Sequence, residues 1–271
     1  MDRYSALFER LGREHRGALV PFAILGYPTP ERSLEWIEAL LPHADALELG
    51  LPFSDPIADG PVIQTASHQA LTAGARLDSG LALVCQLRTR HPELPIGLLV
   101  YANLVYQPGL DPFYERVHAA GADSVLIPDV PSEEAQPFVD AARRQGIAPI
   151  LIAPPNAPEA ALARIAKLAS GYIYVVSRSG VTGTEQQAGR PQARLFEKLR
   201  ALGAPPGLVG FGISSPEDVR AALAQGASGV IVGSSLIEKS RDPAQLESHL
   251  QSLALATRRP PDGRHGRAVQ E

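Results

Sequence analysis

Eight alternations of a short apolar run and a helical pattern within 271 residues predict a single (β/α)8, or TIM, barrel with an extra N-terminal helix. Three observations carry this prediction. The strand-like runs are short and apolar without strict alternation, as in parallel strands covered on both faces. Helical patterns lie between consecutive runs. The length suits one barrel of ~250 residues, with no Gly-x-Gly-x-x-Gly after the first strand to favour an open dinucleotide-binding sheet.

The elements follow in order. Arg3 to Glu14 is amphipathic, with Leu7, Phe8 and Leu11 on one side. The run from Leu19 to Leu25 is a buried strand, closed by Gly26, Pro28 and Pro30, and Glu31 to Leu41 is the next helix. Further strands are expected at Ala46–Leu49, Ile96–Tyr101, Ser124–Ile127, Ala148–Ile152, Ile173–Val176, Leu208–Gly210 and Gly229–Val232. Ser132–Gln145, Glu159–Ala169 and Pro216–Gln225 are among the intervening helices, and a last helix follows Ser240. Gly121-Ala122-Asp123-Ser124 and Gly226-Ala227-Ser228-Gly229 echo one another, with Ala44-Asp45-Ala46-Leu47 a weaker third copy. Residues 1–257 form one domain in this reading, and 258–271, rich in arginine and proline, a flexible tail.

Composition narrows the partners. A formal net charge of -4 gives no reason to expect nucleic acid or an anionic membrane. No apolar run approaches the ~18 residues of a membrane span, and the N-terminus lacks the features of a signal peptide, so a cytoplasmic enzyme is expected. Cys85, the single cysteine, excludes an internal disulfide; it falls in an apolar helical stretch and is expected to be buried and inert.

The reacting groups of such a barrel gather at the C-terminal ends of the strands. Lys167, Lys198 and Lys239 all fall in predicted helices, so a Schiff-base mechanism has no obvious nucleophile. The seven histidines lie in helices, the tail or the opposite connections, and no metal site is expected. What remains is the stretch from Ala46 to Gly60. Glu48 points away from the face shared by Leu47 and Leu49, and burial without a cation raises a carboxyl pKa. Asp59 follows past a proline-rich loop that can fold over the strand end, and two carboxyls in different environments can divide acid and base work. The alternatives are a structural Glu48 paired with an arginine, and Asp59 as a turn residue capping the helix that Pro61 starts. Tyr174 can point to the barrel centre, sharing a face with Tyr172, either as a substrate contact or as a core tyrosine.

Two glycine turns, Gly210-Phe211-Gly212-Ile213-Ser214 and Gly233-Ser234-Ser235, end the seventh and eighth strands. Backbone amides there, with Ser234 able to cap a short helix, suit a phosphate. Ser177 to Arg190 has three glycines and no apolar periodicity, so it reads as a lid whose Gly183 could add an amide.

These residues resemble the tryptophan synthase alpha family. The resemblance is carried by VPF at Val20–Phe22, ELGLPFSDPIADGPVIQ at Glu48–Gln64, GLLVYANLV at Gly97–Val105, DVP at Asp129–Pro131, SRSGVTG at Ser177–Gly183, GFGIS at Gly210–Ser214 and VGSS at Val232–Ser235. It implies retro-aldol cleavage of indole-3-glycerol phosphate to indole and glyceraldehyde 3-phosphate. Glu48 would then be the general acid/base and Asp59 the acceptor of the indole N–H. Phe22 and Leu99 would wall the indole pocket, Tyr174 would contact substrate, and Gly183, Gly212, Gly233 and Ser234 would hold the phosphate. The resemblance also implies an alpha2beta2 complex with a beta subunit that carries pyridoxal phosphate, this chain binding no cofactor. Pro52, Phe53, Asp55, Pro56, Asn103, Leu104 and Asp129, on an apolar, proline-stiffened surface around the mouth, would meet that subunit. Alternatives are a free-standing lyase that releases indole, a weakly active allosteric partner, and a phosphosugar epimerase on the same barrel.

Overall fold

The computed structural model describes residues 2–176 and 189–259. Among these, eight parallel strands close a barrel in sequence order, with the last paired to the first. They are β1 (Ala18–Ile24), β2 (Leu47–Gly50), β3 (Ile96–Leu99), β4 (Ser124–Leu126), β5 (Ala148–Ala153), β6 (Ile173–Val176), β7 (Gly207–Gly210) and β8 (Gly229–Val232). The helical layer comprises α1 (Arg3–Arg13), α2 (Pro30–Glu38), α3 (Pro61–Thr72), α4 (Leu77–Arg90), α5 (Ala102–Tyr106) and α6 (Leu110–Ala120). It continues with α7 (Gln136–Arg144), α8 (Glu159–Leu168), α9 (Gly189–Ala201), α10 (Pro216–Ala224), α11 (Ser234–Glu238) and α12 (Pro243–Ala256). The predicted TIM barrel and its additional N-terminal helix are both present.

An 11-residue helix is marginal alone, so packing must hold α1. Asp2 caps it by accepting from the Ser5 N–H at 2.9 Å, and Tyr4, Leu7 and Leu11 are buried beneath the barrel. At ~1.5–3 kcal/mol per fully buried apolar side chain, that stripe outweighs the helix's own propensity. Tyr4 reaches furthest, sharing a 2.7 Å hydrogen bond with Ser124 and meeting the Tyr172 ring edge-on at 5.5 Å.

The internal echo has a structural cause. Asp45 and Asp123 each precede a strand, and each carboxylate accepts the N–H of the neighbouring strand, Leu19 at 3.0 Å and Ile96 at 2.7 Å. Each is also held by two arginines, Arg10 and Arg16 for Asp45, Arg3 and Arg88 for Asp123. In the Gly226-Ala227-Ser228-Gly229 copy the carbonyl of Ser228 does the same work, accepting the Ala18 N–H at 2.9 Å. The repeated motif ties the entry ends of neighbouring strands together, opposite the mouth.

Several boundaries differ from expectation. β3 stops at Leu99, and the chain turns at Tyr101 into the unpredicted helix α5. The helix expected from Ser132 begins at Gln136, because Ser132 to Glu134 form a turn. Cys85 was expected inside and is exposed on α4; Leu81, Leu83, Val84 and Leu87 take the buried face instead. Arg258 pairs with Arg16 as an isolated bridge, and Arg259 donates to the Ala227 carbonyl at 2.8 Å. Residues 260–271 lie outside the described residues. No described helix is long and apolar enough to cross a membrane.

Candidate active site

Glu48 sits in mid-β2, in register with Phe22 of β1 and Gly97 of β3. Strand alternation sends Leu47 and Leu49 to the helical layer and Glu48 to the barrel axis. Gly97 leaves room for the Tyr4–Ser124 pair: a Cβ there would lie 2.7 Å from Ser124 Oγ and 3.0 Å from the Tyr4 hydroxyl. Glu48 is 1% exposed, and Tyr172 donates to its Oε1 at 2.7 Å. Oε2 has no hydrogen-bond partner among the described residues. Among the described residues no arginine pairs with it, as the structural alternative would require. Burial drives its pKa up to about 7, the nearby Asp59 carboxylate adds to the rise, and the Tyr172 hydrogen bond opposes it.

Asp59 lies in the loop between β2 and α3. The N-cap of α3 is Gly60, without a side-chain cap, so Asp59 is not a capping residue. Its Oδ2 accepts from the Tyr101 hydroxyl at 2.9 Å. Burial raises its pKa and that hydrogen bond lowers it. Both acids, with Phe22, Leu99 and Tyr174, line one cavity of about 270 Å3 at the mouth. An apolar recess of about 280 Å3 adjoins it, shared at Asp59, Leu99 and Tyr174 and extended by Leu126, Pro128 and Ile152.

Tyr174 is buried and faces both spaces. Its place depends on Gly210, where a Cβ would come within 2.0 Å of the tyrosine hydroxyl. We expect Gly210→Ala to displace Tyr174 and lower turnover at this cavity by at least ten-fold with the fold retained, measured by activity beside circular dichroism. Phe211 then turns over the cavity at φ 67, a region disfavoured for a side-chain-bearing residue. Its ring meets Tyr174 edge-on at 6.1 Å.

The opposite end of the cavity is made by the two glycine turns. Gly212, Ser214, Gly233 and Ser234 all line it, and Gly212 has φ 71. The cap of α11 falls on Gly233 rather than on the expected Ser234, which is the first helical residue. Asp218 fixes the first turn from behind. Its Oδ2 accepts from both the backbone and the hydroxyl of Ser214 (3.0 and 3.1 Å) and of Ser215 (2.9 Å each). Those four donors hold its pKa below the usual value despite partial burial. Asp218→Ala should raise KM for a phosphorylated substrate several-fold with a smaller change in kcat, as loss of a ~1 kcal/mol cap implies; steady-state kinetics check it.

The site residues Glu48, Asp59, Phe22, Leu99, Tyr174, Gly212, Gly233 and Ser234 thus converge on one cavity. Gly183 and the rest of Ser177 to Ala188 lie outside the described residues. Phe53 and Pro56 are half-buried, Asp55, Asn103 and Asp129 exposed, and all border the mouth loops. Pro52 departs from its expected surface position: it is buried behind that rim. Tyr101, Phe211, Asp218 and Tyr172 also shape the site, without a role expected from the sequence. For Tyr172 the alternation with Tyr174 was a usable signal; for Tyr101 the expected strand concealed the turn that brings it to Asp59. Among the described residues no group of three histidine, cysteine or acidic side chains is arranged to hold a metal.

A closed (β/α)8 barrel whose mouth holds one deeply buried acid, a second acid, apolar walls and two glycine turns has the layout of a barrel enzyme. Comparison with known proteins gives the family. The family model described as tryptophan synthase alpha chain matches residues 8–260. The tryptophan synthase alpha chain of Vibrio cholerae serotype O1 is 51% identical over 255 residues, covering 94% of this chain and 93% of that one. Tryptophan synthase subunit alpha from Legionella pneumophila superposes with a TM-score of 0.85 at 33% identity, over 95% of this chain and 98% of that one. The aminoacrylate-bound form of tryptophan synthase from M. tuberculosis gives a TM-score of 0.85 at 28% identity, over 95% of this chain and 100% of the other. The chain belongs to the tryptophan synthase alpha chain family, and its activity is that of a carbon–carbon lyase in tryptophan biosynthesis.

Proposed function

We propose that this mouth cleaves indole-3-glycerol phosphate to indole and glyceraldehyde 3-phosphate, with Glu48 as general acid/base and Asp59 as the anion that stabilises the intermediate. The observation that carries this reading is Glu48 itself: deeply buried, unpaired with any described cation, and near half-protonation at neutral pH. The indole ring occupies the apolar side between Phe22, Leu99 and the adjoining recess, and the phosphate meets the amides around Gly212, Gly233 and Ser234.

Glu48 delivers a proton to indole C3, and Asp59 accepts a hydrogen bond from the ring N–H as positive charge develops there. The Glu48 carboxylate then takes the proton of the side-chain hydroxyl next to the scissile bond. A carbonyl forms, the carbon–carbon bond breaks, and its electron pair returns to the ring, restoring indole. Glu48 ends protonated, ready for the next substrate. The protonated ring is the electron sink, so neither a Schiff base nor a metal is called for.

The same reading gives the chain a beta-subunit partner, in an alpha2beta2 complex, with pyridoxal phosphate carried by that partner, and a cytoplasmic setting. Two exposed apolar side chains support a docking rim beside the mouth: Ile57 at 81% and Tyr106 at 58% exposure. Phe53, Asp55, Pro56, Asn103 and Asp129 belong to that rim, with Pro52 stiffening it from within. Indole release by the chain alone and with a beta subunit tests the whole. Turnover that rises at least ten-fold on addition supports the two-subunit synthase. Equal, fast turnover supports the free-standing lyase, and none in either arm removes the lyase reading.

A further inference from the structure

Tyr101 is not part of the cavity wall, yet three pieces of the mouth meet on it. It is 2% exposed and stands at the N-cap of α5, just beyond the end of β3. Its hydroxyl donates to Asp59 Oδ2 at 2.9 Å and accepts from the Ala58 N–H at 3.1 Å. Its ring lies nearly parallel to that of Phe53, with centroids 5.1 Å apart and planes 20° apart. One residue later, the Ala102 N–H donates to the exposed Asp129 carboxylate at 3.0 Å. The segment 53–59 needs such an anchor, because its prolines and turns place it in neither sheet nor helix.

We infer that Tyr101 is the positioning residue for Asp59: its hydroxyl aims the carboxylate across the cavity, and its ring fixes the 53–57 segment, so the placement of the acid follows that segment. This deepens the proposed function and rests on Asp59 acting in the cleavage. A phenol suits the task. Burial and the neighbouring Asp59 charge raise its pKa, so it stays a neutral donor at working pH. Donation to Oδ2 leaves Oδ1 without a hydrogen bond from any described residue and so open to a substrate N–H. Donation also favours the ionised form of Asp59 against the pull of burial. The other titratable groups around that carboxylate are Glu48, across the cavity, and Tyr174. Because Phe53 and Asp129 both border the mouth, displacement of either rim is transmitted to Tyr101 and from there to the acid.

Tyr101→Phe keeps the ring and removes the hydroxyl, and Phe53→Leu does the reverse, leaving the hydroxyl but not the stacked ring. Carbon-13 NMR of the Asp59 carboxylate in the free full-length chain follows its titration without any need for turnover. We expect the Asp59 titration to move to higher pH in Tyr101→Phe and, by less, in Phe53→Leu. We expect kcat for indole release to fall about ten-fold in Tyr101→Phe, with KM within about two-fold and the acid limb of the kcat profile moved the same way. An Asp59 titration that coincides with the parent's in both variants overturns the inference, whether or not kcat falls. If the parent releases no indole, the lyase reading fails, while the carboxylate titration still decides whether Tyr101 governs Asp59.

Discussion

Glu48→Gln is expected to abolish nearly all cleavage, with kcat reduced by at least ~10²–10⁴-fold, the range for a lost general acid/base. The amide can still accept from Tyr172, so the cavity keeps its shape and substrate binding should stay within a few-fold. Single-turnover indole release beside equilibrium binding separates the two; a variant that retains most of its kcat removes Glu48 from the mechanism. The same substitution has a stability signature opposite to the usual carboxylate case. The side chain titrates at about 7 when folded against 4.5 as a free group. Between those values the folded state binds more protons than the unfolded one, so burial of Glu48 costs increasing stability as pH rises from 4.5 to 7. The full cost, on the order of 3 kcal/mol, is reached above pH 7. Glutamine carries no charge at any pH. The variant should therefore be more stable than its parent at pH 8 than it is at pH 4, relative to the same parent, in urea unfolding at both pH values.

Asp59→Asn should be nearly as severe for the chemistry while sparing the phosphate end. A unit charge about 4 Å from the developing cation, at an effective dielectric near 20, is worth about 4 kcal/mol, or roughly 10³-fold in rate. The asparagine oxygen can still accept from Tyr101, so the loop should keep its place. Inorganic phosphate or glycerol phosphate should bind as before, and indole release should fall by ~10²–10³-fold. Equal loss of phosphate binding would assign Asp59 a folding role. A second readout separates charge from shape. Because the Asp59 carboxylate helps hold the Glu48 pKa up, its removal should move the Glu48 titration to lower pH.

Much of this site was legible beforehand because period-two alternation is a local property. Leu47 and Leu49 fix the direction of Glu48 whatever surrounds the strand, and the loop that follows contains too much proline to continue it. Glycines at the ends of two successive strands likewise mark amide-lined turns. Other features depended on distant neighbours. Cys85 lies in an apolar stretch of helix, but which side of α4 is buried was settled by α6 and α2 packed against it, and Cys85 faces outward. Tyr101 reads as the end of a strand until the turn after Leu99 swings it beneath Phe53 and onto Asp59.

The amino-acid sequence by itself determined the eight-fold alternation, the inward carboxyl of β2 and the amide turns after β7 and β8, because each is set by periodicity or by residues a few positions apart. Tertiary structure decided what those groups experience. The proton affinity of Glu48 comes from desolvation in the barrel interior, and the aim of Asp59 comes from a phenol 42 positions further along the chain. Burial and hydrogen-bond partnership belong to the assembled barrel, and they give two ordinary carboxyls different surroundings.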